Sequence, residues 1–229
     1  MPIVNDETIA GLPPPVQRSL RRSDVLGKQV PTRVTVRQKG EILLRDRWLP
    51  FTAVEGYNVS SPGFEWKAVV KLAGLPLARA DDSLSDRRGR MHVRLLGMFT
   101  VVDEVGPEMD QGALMRWLNE TMWFPHVWAT DVISWKPVDD ATALGAVTVG
   151  NLRVEAAFCF DSEGRLIDFR GDRYRIGETG PELVRWATPI TGHDRFDGIE
   201  VPTFGSALWA LGEQDLEYIR VQITDIRYT

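Results

Sequence analysis

Most of the chain alternates apolar and polar residues with a period of two, which is typical of β-strands that bury one face. The clearest case is residues 152–160, where the apolar positions are Leu152, Val154, Ala156, Phe158 and Phe160. Segments that we also predict as strands are 33–37, 48–59, 64–71, 77–84, 91–99, 132–135, 143–149, 166–174, 184–188, 199–211 and 218–228. Their connections are too short for crossover helices, so the sequence predicts antiparallel pairing.

One long segment in the middle of the chain instead repeats its apolar residues at helical spacing. At about 100° per residue, Leu114, Trp117 and Leu118 lie on one face, and Pro125 marks the end of the segment. We therefore predict a helix at 107–125. Because its apolar face needs a cover and strands flank it on both sides, the predicted fold is mainly β (α+β): a large curved antiparallel sheet, a half-barrel, wrapped around one long central helix.

A short helix is predicted near the N-terminus, ahead of the first strand. Pro15 suits the first turn of a helix that continues to Arg22, and Val16 and Leu20 lie four residues apart on one face. No internal repeat, low-complexity tract or linker divides the sequence. We expect a single domain over 1–229, with an N-terminal arm and helix at 1–30, strands at 31–100, the central helix at 107–125 and further strands at 130–229.

The charge balance argues against nucleic acid as a partner. The 229 residues include 27 basic and 32 acidic side chains, which gives a formal net charge of -5. Phosphate binding requires a basic face, and the basic clusters at 18–22 and 87–90 are short. The composition is that of an ordinary globular protein, and the sequence leaves the oligomeric state open.

Cysteine usage and the N-terminal sequence bear on the cellular compartment. Cys159 is the single cysteine, which excludes an internal disulfide and is compatible with a reducing compartment. Its place in an alternating segment indicates a small strand residue rather than a nucleophile. The first thirty residues contain no apolar run long enough for a signal peptide or a membrane span. We expect a cytoplasmic protein without a membrane span.

The sequence predicts neither a metal site nor a cofactor. His92, His126 and His193 occur singly, without the spacing typical of metal ligands. For His126, we weigh a surface position at the helix end against a proton shuttle at the mouth of a cavity. No glycine-rich phosphate loop is present, which disfavours nucleotide cofactors.

Eight tryptophans are the strongest compositional signal. Most are expected in the core, because aromatic side chains bury large areas wherever they occur. Two or three of them beside the central helix would line a cavity for a planar or lipid-like ligand. The candidate ligand-binding residues are Trp66, Trp117, Trp123, Phe124, Trp186 and Arg173. Arg173 would bind a ligand carboxylate, and the alternative is a cross-strand ion pair.

Three residues are candidates for acid-base chemistry: Glu120, Asp110 and Tyr174. Glu120 flanks the apolar face of the predicted helix, where burial would raise its pKa. The alternative for Glu120 is an ion pair with Arg116, four residues earlier. For Asp110 the alternative role is the helix N-cap.

Several motifs resemble those of an uncharacterised bacterial family of unknown function. They are LPPPVQR at 12–18, RWLPFT at 47–52, WFP at 123–125, and FDGI followed by VPT at 196–203. The resemblance covers nearly the whole chain. It implies a fold similar to the half-barrels of the lipoprotein-carrier group, in which a curved sheet holds a hydrophobic ligand against a helix.

Two positions depart from the pattern of that family. Ala113 stands where members have a glutamate, which removes half of a capping box and any acid-base role of that glutamate. Trp117 replaces a tyrosine, which implies a more apolar pocket.

Two functions fit the predicted cavity. The first is a cofactor-independent enzyme, a cyclase, isomerase or lyase acting on a hydrophobic polyketide- or terpenoid-like substrate. The second is a protein that binds or carries a lipid-like molecule without catalysis.

Overall fold

The computed structural model describes residues 2–177, 180–212 and 214–229. The loops predicted at 177–181 and 212–215 include Glu178, Thr179 and Glu213, which lie outside the described residues. The strands are β1 (Arg33–Leu44), β2 (Arg47–Asn58), β3 (Gly63–Leu72), β4 (Leu75–Ser85), β5 (Arg88–Leu95), β6 (Phe99–Val105), β7 (Ser134–Pro137), β8 (Thr142–Val149), β9 (Leu152–Phe160), β10 (Leu166–Gly177), β11 (Gly180–Ala187), β12 (Ile190–Phe196), β13 (Ile199–Ala210) and β14 (Asp215–Tyr228).

Within the described ranges, the strands form one 14-stranded antiparallel sheet. Its order is β6-β5-β4-β3-β2-β1-β14-β13-β11-β10-β9-β8-β7, and β12 pairs with β13 beside this path. The first and last strands meet in the middle, where Val34 of β1 lies opposite Tyr228 of β14. The predicted mainly β, antiparallel fold is therefore confirmed.

The central helix explains why the sheet is curled. This helix, α3 (Pro107–Glu120), contacts β5 in one half of the sheet and β10 in the other, although these strands are far apart in the sheet order. One helix contacts both only if the sheet bends around it. The predicted half-barrel wrapped around a central helix is confirmed.

The N-cap and the end of helix α3 differ from the prediction. Its N-cap is Gly106, with a φ of 127°, so the prediction that Asp110 is the N-cap is wrong. The α-helix ends at Glu120 and continues as 3₁₀ turns at Thr121–Trp123 and Pro125–Ala129. The residue before a proline disfavours helical backbone, and Phe124 before Pro125 is accordingly non-helical.

Two short helices precede the sheet. Helix α2 (Pro14–Arg22) confirms the predicted N-terminal helix, and Val16 and Leu20 are fully buried. Helix α1 (Asp6–Ile9) was not predicted from the sequence. Its signal is a capping box, in which Asn5 and Thr8 each accept a hydrogen bond from the other's backbone N–H.

Two strands were missed because turn-forming residues interrupt them. Residues 191–194 are predicted as a turn, but β12 runs through them. The pairing of β12 with β13 is irregular here, because its register shifts on both sides of Gly192. The predicted strand 91–99 is instead divided between β5 and β6 by a turn at Leu96 and Gly97, both with positive φ. None of the helices in the described ranges is long and apolar enough to span a membrane.

Candidate functional site

A cavity of about 250 Å³ lies between the concave face of the sheet and the C-terminal end of α3. Its walls are mainly apolar and come from both halves of the sheet. The N-terminal strands contribute Phe51, Val70 and Val93, and the C-terminal strands contribute Trp186, Ala207 and Ile223. Met122 and Trp123, in the turn after α3, close one side. The curled sheet and the helix thus leave a space that neither fills.

A buried polar cluster forms one part of the cavity wall, and Arg116 of α3 is at its centre. Its Nη2 donates to Oε1 of Glu55 at 2.8 Å, its Nη1 to Oδ2 of Asp82 at 2.6 Å, and its Nε to Oε1 of Glu120 at 2.8 Å. Three carboxylates therefore converge on a single guanidinium. We refer to Arg116, Glu55, Asp82 and Glu120 as the carboxylate cluster.

Strand pairing places the acidic residues of the sheet in one row, on either side of Trp66. Glu55 on β2 lies opposite Trp66 on β3, and Trp66 lies opposite Asp82 on β4. Gln38 of β1 donates from Nε2 to Oε2 of Glu55 at 2.8 Å and accepts from Nε1 of Trp66 at 3.0 Å. The guanidinium of Arg116 lies 5.0 Å from the centre of the Trp66 ring. The cluster is thus fixed by a row of neighbouring strands.

Burial controls the protonation of this cluster. Glu55, Asp82 and Glu120 are only 0%, 1% and 6% exposed. Burial raises the pKa of Glu55 well above its ordinary value, Arg116 opposes this rise, and neighbouring Glu120 adds to it. Burial also raises the pKa of Glu120, again opposed by Arg116. Burial alone would lower the pKa of Arg116, but the surrounding carboxylates outweigh it and raise that pKa.

Two carboxylate oxygens of the cluster have no hydrogen-bond donor in the described part of the chain. They are Oε2 of Glu120 and Oδ1 of Asp82. Both residues line the cavity. Buried acceptors without donors are uncommon in folded proteins, which marks this wall as a polar site that protein groups alone leave incomplete.

Five of the residues singled out from the sequence line the cavity: Glu120, Trp66, Trp123, Trp186 and Arg173. The ion pair between Glu120 and Arg116, predicted as an alternative, is present. Nε of Arg173 donates to the backbone oxygen of Gly112 at 2.9 Å, and its guanidinium lies 4.7 Å from the centre of the Trp186 ring. Their roles in binding or chemistry stay predictions.

Trp117 and Phe124 lie in the core and are not among the residues that line the cavity. Nε1 of Trp117 donates to the backbone oxygen of Asn58 at 3.2 Å, and the Phe124 ring packs 4.9 Å from that of Tyr57. The sequence placed Trp117 on the apolar face of the helix and Phe124 at the edge of that face, and in the structure both side chains pack in the core.

Asp110 and Tyr174 also lie outside the cavity lining. The Oδ1 of Asp110 accepts from the backbone N–H of Gly89 at 2.7 Å, and its Oδ2 from Arg88 at 3.1 Å. The backbone N–H of Tyr174 donates to Gln111 at 3.1 Å. Both residues therefore connect α3 to the sheet, away from Glu120.

His126 is buried, so the predicted surface position is wrong. It is 1% exposed, lies 5.4 Å from the Tyr228 ring, and is not part of the cavity lining. Its Nδ1 has no hydrogen-bond partner among the described residues. Burial, with a smaller contribution from Lys28, lowers the pKa of His126 to about 4. The ring is therefore neutral at pH 7.

Gln38, Glu55 and Asp82 were not predicted as site residues, although the sequence of their strands contains a pattern that could have identified the two acids. Glu55 occupies the buried phase of β2, between Ala53 and Tyr57, where every other residue is apolar. Asp82 does the same on β4. A charged residue in the buried phase of a strand indicates a buried partner of opposite charge.

The structure is similar to several solved structures, each with low sequence identity. One is a DUF1329 family protein from Desulfovibrio piger, with 10% identity, a TM-score of 0.49, and coverage of 94% of this chain and 93% of that chain. A domain from Vibrio parahaemolyticus, proposed to be an outer membrane lipoprotein-sorting protein, has 7% identity, a TM-score of 0.47, and coverage of 93% and 90%. A LolA superfamily protein from Nitrosomonas europaea has 11% identity, a TM-score of 0.47, and coverage of 93% of each chain.

The sequence itself identifies the family. No curated protein matches the chain. The model of DUF6544, a family of unknown function, matches residues 2–221, almost the full length. This match confirms the resemblance to an uncharacterised family that the sequence motifs indicated. The chain therefore belongs to DUF6544, a family of unknown function.

Proposed function

We propose that this protein binds a hydrophobic small molecule in the cavity beside α3 and holds or carries it without chemical change. The observation that carries the proposal is the cavity of about 250 Å³ with mainly apolar walls. Small-molecule sites are typically concave and apolar with a few polar groups, and this cavity has that character. Its carboxylate cluster supplies the polar groups.

Burial of apolar ligand surface supplies the binding free energy. Each methylene group transferred from water contributes about 0.8 kcal/mol, so a chain of about ten would contribute about 8 kcal/mol before entropic costs. Trp66, Trp123 and Trp186 add large flat surfaces to the wall. A single acyl chain or a small ring system is the class of ligand that this cavity suits.

A fluorescence titration tests the proposal. The uncharged dye N-phenyl-1-naphthylamine is added to the purified protein, and its emission is followed as it leaves water. Ala207→Phe fills the cavity from β13, where Ala207 is 6% exposed, and should weaken dye binding at least about tenfold because it removes ligand space. Ala141→Phe, at an exposed position, is the matched control and should bind as wild type does. Equal binding by all three proteins would contradict the proposal.

A second candidate function is a cofactor-independent cyclase, isomerase or lyase acting on a polyketide- or terpenoid-like substrate. One observation favours it: Glu120 lines the cavity, and burial raises its pKa, which makes it a usable general acid. Its carboxyl would protonate a substrate oxygen, and Arg116 would stabilise the resulting carboxylate.

The two functions differ in what Glu120→Gln does to the bound molecule. If the protein only binds, wild type and variant purify with the same molecule. If it is an enzyme, the variant accumulates its substrate, which differs from the product in structure even where an isomerase leaves the mass unchanged. Chromatographic retention and fragmentation of the extracted ligand distinguish these results.

The cellular location stays a prediction from the sequence. The single Cys159 is compatible with the cytoplasm, and we propose that compartment on this basis. Fractionation of cells that express the full-length gene product tests it.

A further inference from the structure

The charge of the carboxylate cluster restricts the chemistry of the ligand. Arg116 is the one cation that contacts Glu55, Asp82 and Glu120, among the described residues. Negative charge is therefore in excess on this wall, even when a proton is shared between Glu55 and Glu120. An anionic ligand group placed here would lose its hydration and be repelled by the carboxylates of the cluster, which is costly in a buried site.

The unpartnered oxygens show what the wall lacks. Asp82 is 1% exposed and Glu120 is 6% exposed, and Oδ1 of the first and Oε2 of the second have no donor among the described residues. A carboxylic proton on Glu55 would satisfy at most Oε2 of Glu120, and Oδ1 of Asp82 would stay without a donor. Both residues line the cavity while these two oxygens are themselves covered, so a donor group on the ligand completes their hydrogen bonds once the carboxylates turn toward the cavity.

We infer that the polar end of the ligand is a hydrogen-bond donor, a hydroxyl or a protonated amine, bound by Glu120 and Asp82, and that a ligand carboxylate is disfavoured at this wall. The inference rests on the proposed binding function and adds the class of ligand.

Arg173 provides the competing arrangement. It lines the cavity, and its guanidinium is held over Trp186 and donates from Nη1 to the Tyr218 hydroxyl at 3.4 Å. A carboxylate ligand would therefore bind at Arg173, with its head away from the carboxylate cluster. Comparing ligands with the same chain and different heads decides between the two arrangements.

The test uses dodecylamine, dodecanol and dodecanoate as competitors for bound N-phenyl-1-naphthylamine, each below its aggregation concentration. The chains are equal, so differences in affinity report the head group. We expect the amine and the alcohol to bind about tenfold or more tightly than the carboxylate, the factor that one satisfied charge-assisted hydrogen bond supplies. Tightest binding by dodecanoate would overturn the inference.

Two variants assign the preference to the cluster. Glu120→Gln replaces an acceptor with a donor, so the preference for the amine over the carboxylate should shrink several-fold. Asp82→Asn makes the same change at the second oxygen and keeps the test informative if Glu120→Gln unfolds. Glu65→Gln, at an exposed position on β3, is the matched control and should leave the preference unchanged. An unchanged preference in both cluster variants would contradict the assignment.

Different results would contradict the binding function and the inference about the head group. If none of the three competitors displaces the dye and the dye itself does not bind, the binding function is wrong. If all three displace it with equal affinity, the binding function stands and the inference about the head group is wrong.

Discussion

Arg116 makes three ion pairs, and two of them connect the central helix to the concave face of the sheet. Its partners come from β2, β4 and its own helix, so one side chain fixes α3 against two strands. The sequence predicted the pair with Glu120, because the two residues are four apart on a helix. It did not predict the partners on the strands, since sequence separation gives no information on which strands face the helix.

We predict that Arg116→Met strongly destabilises the protein. The substitution keeps much of the side-chain volume but leaves Glu55, Asp82 and Glu120 buried without their cation, which costs about 3–5 kcal/mol of unfolding free energy. Urea denaturation at pH 7 measures the loss. Arg227→Met is the control, because Arg227 is 73% exposed, and should change the free energy by less than about 0.5 kcal/mol. A loss below about 1 kcal/mol for Arg116→Met would contradict this description of the cluster.

His126 predicts a specific dependence of stability on pH. Its pKa is about 4 in the folded protein and about 6.5 when unfolded, so the unfolded chain binds the proton more tightly. The neutral ring therefore favours folding above pH 6.5, and this contribution of about 3 kcal/mol is lost as the pH falls from 6.5 to about 4.

The variant His126→Phe isolates that contribution. Burial raises the pKa of Glu55 and Glu120, so their contribution to stability changes with pH in the opposite direction. Wild type and variant share this contribution, which therefore cancels in the difference between their unfolding free energies. We expect the variant, measured by urea denaturation, to gain about 3 kcal/mol relative to wild type between pH 7 and pH 4. Parallel stability curves over this range would show that His126 is not buried as described.

At the scale of elements, the sequence predicted most of the strands and the central helix, because their periods of 2 and 3.6 residues differ clearly. The prediction was wrong where the local preference of the side chains for a turn differs from the strand pairing in the folded protein. Residues 191–194 carry turn-forming side chains, yet β12 pairs with β13 through them. The α-helix ends at Glu120, before Phe124, where the following proline disfavours helical backbone geometry. The strand registers that align Glu55 and Asp82 in one row across β2, β3 and β4 depend on pairing, which periodicity does not specify.

The contact between β5 and α3 gives a prediction at this scale. A Cβ atom on Gly89 would lie 2.4 Å from the backbone oxygen of Met109 and 2.9 Å from Cβ of Ala113, so the strand and helix pack too closely for a side chain. Gly89→Ala should therefore cost about 1–3 kcal/mol of unfolding free energy. Gly56→Ala, with no atom within 4 Å of the added Cβ, is the matched control and should be neutral or slightly stabilising. Equal effects of the two substitutions would contradict the close packing of α3 on β5.

At the scale of the whole molecule, the pairing of β1 with β14 joins the two halves of the sheet into one curved surface. This pairing supports our proposal that the chain folds as a single unit. The cavity exists because α3 covers only part of that surface, and its lining comes from strands far apart in the sequence. The sequence predicted a cavity beside Glu120 from the apolar helix and its strand cover. It could not predict the volume, which depends on how sharply the sheet curls.

The central claim is that the space beside Glu120 holds an apolar molecule, and native mass spectrometry of the freshly purified protein tests it most directly. We predict a species heavier than the chain by one discrete mass, which is released on denaturation, extracts into organic solvent, and is absent from Ala207→Phe but present in Ala141→Phe. A wild-type spectrum that contains only the bare chain, together with no uptake of N-phenyl-1-naphthylamine or of the dodecyl compounds added afterwards, would contradict the claim.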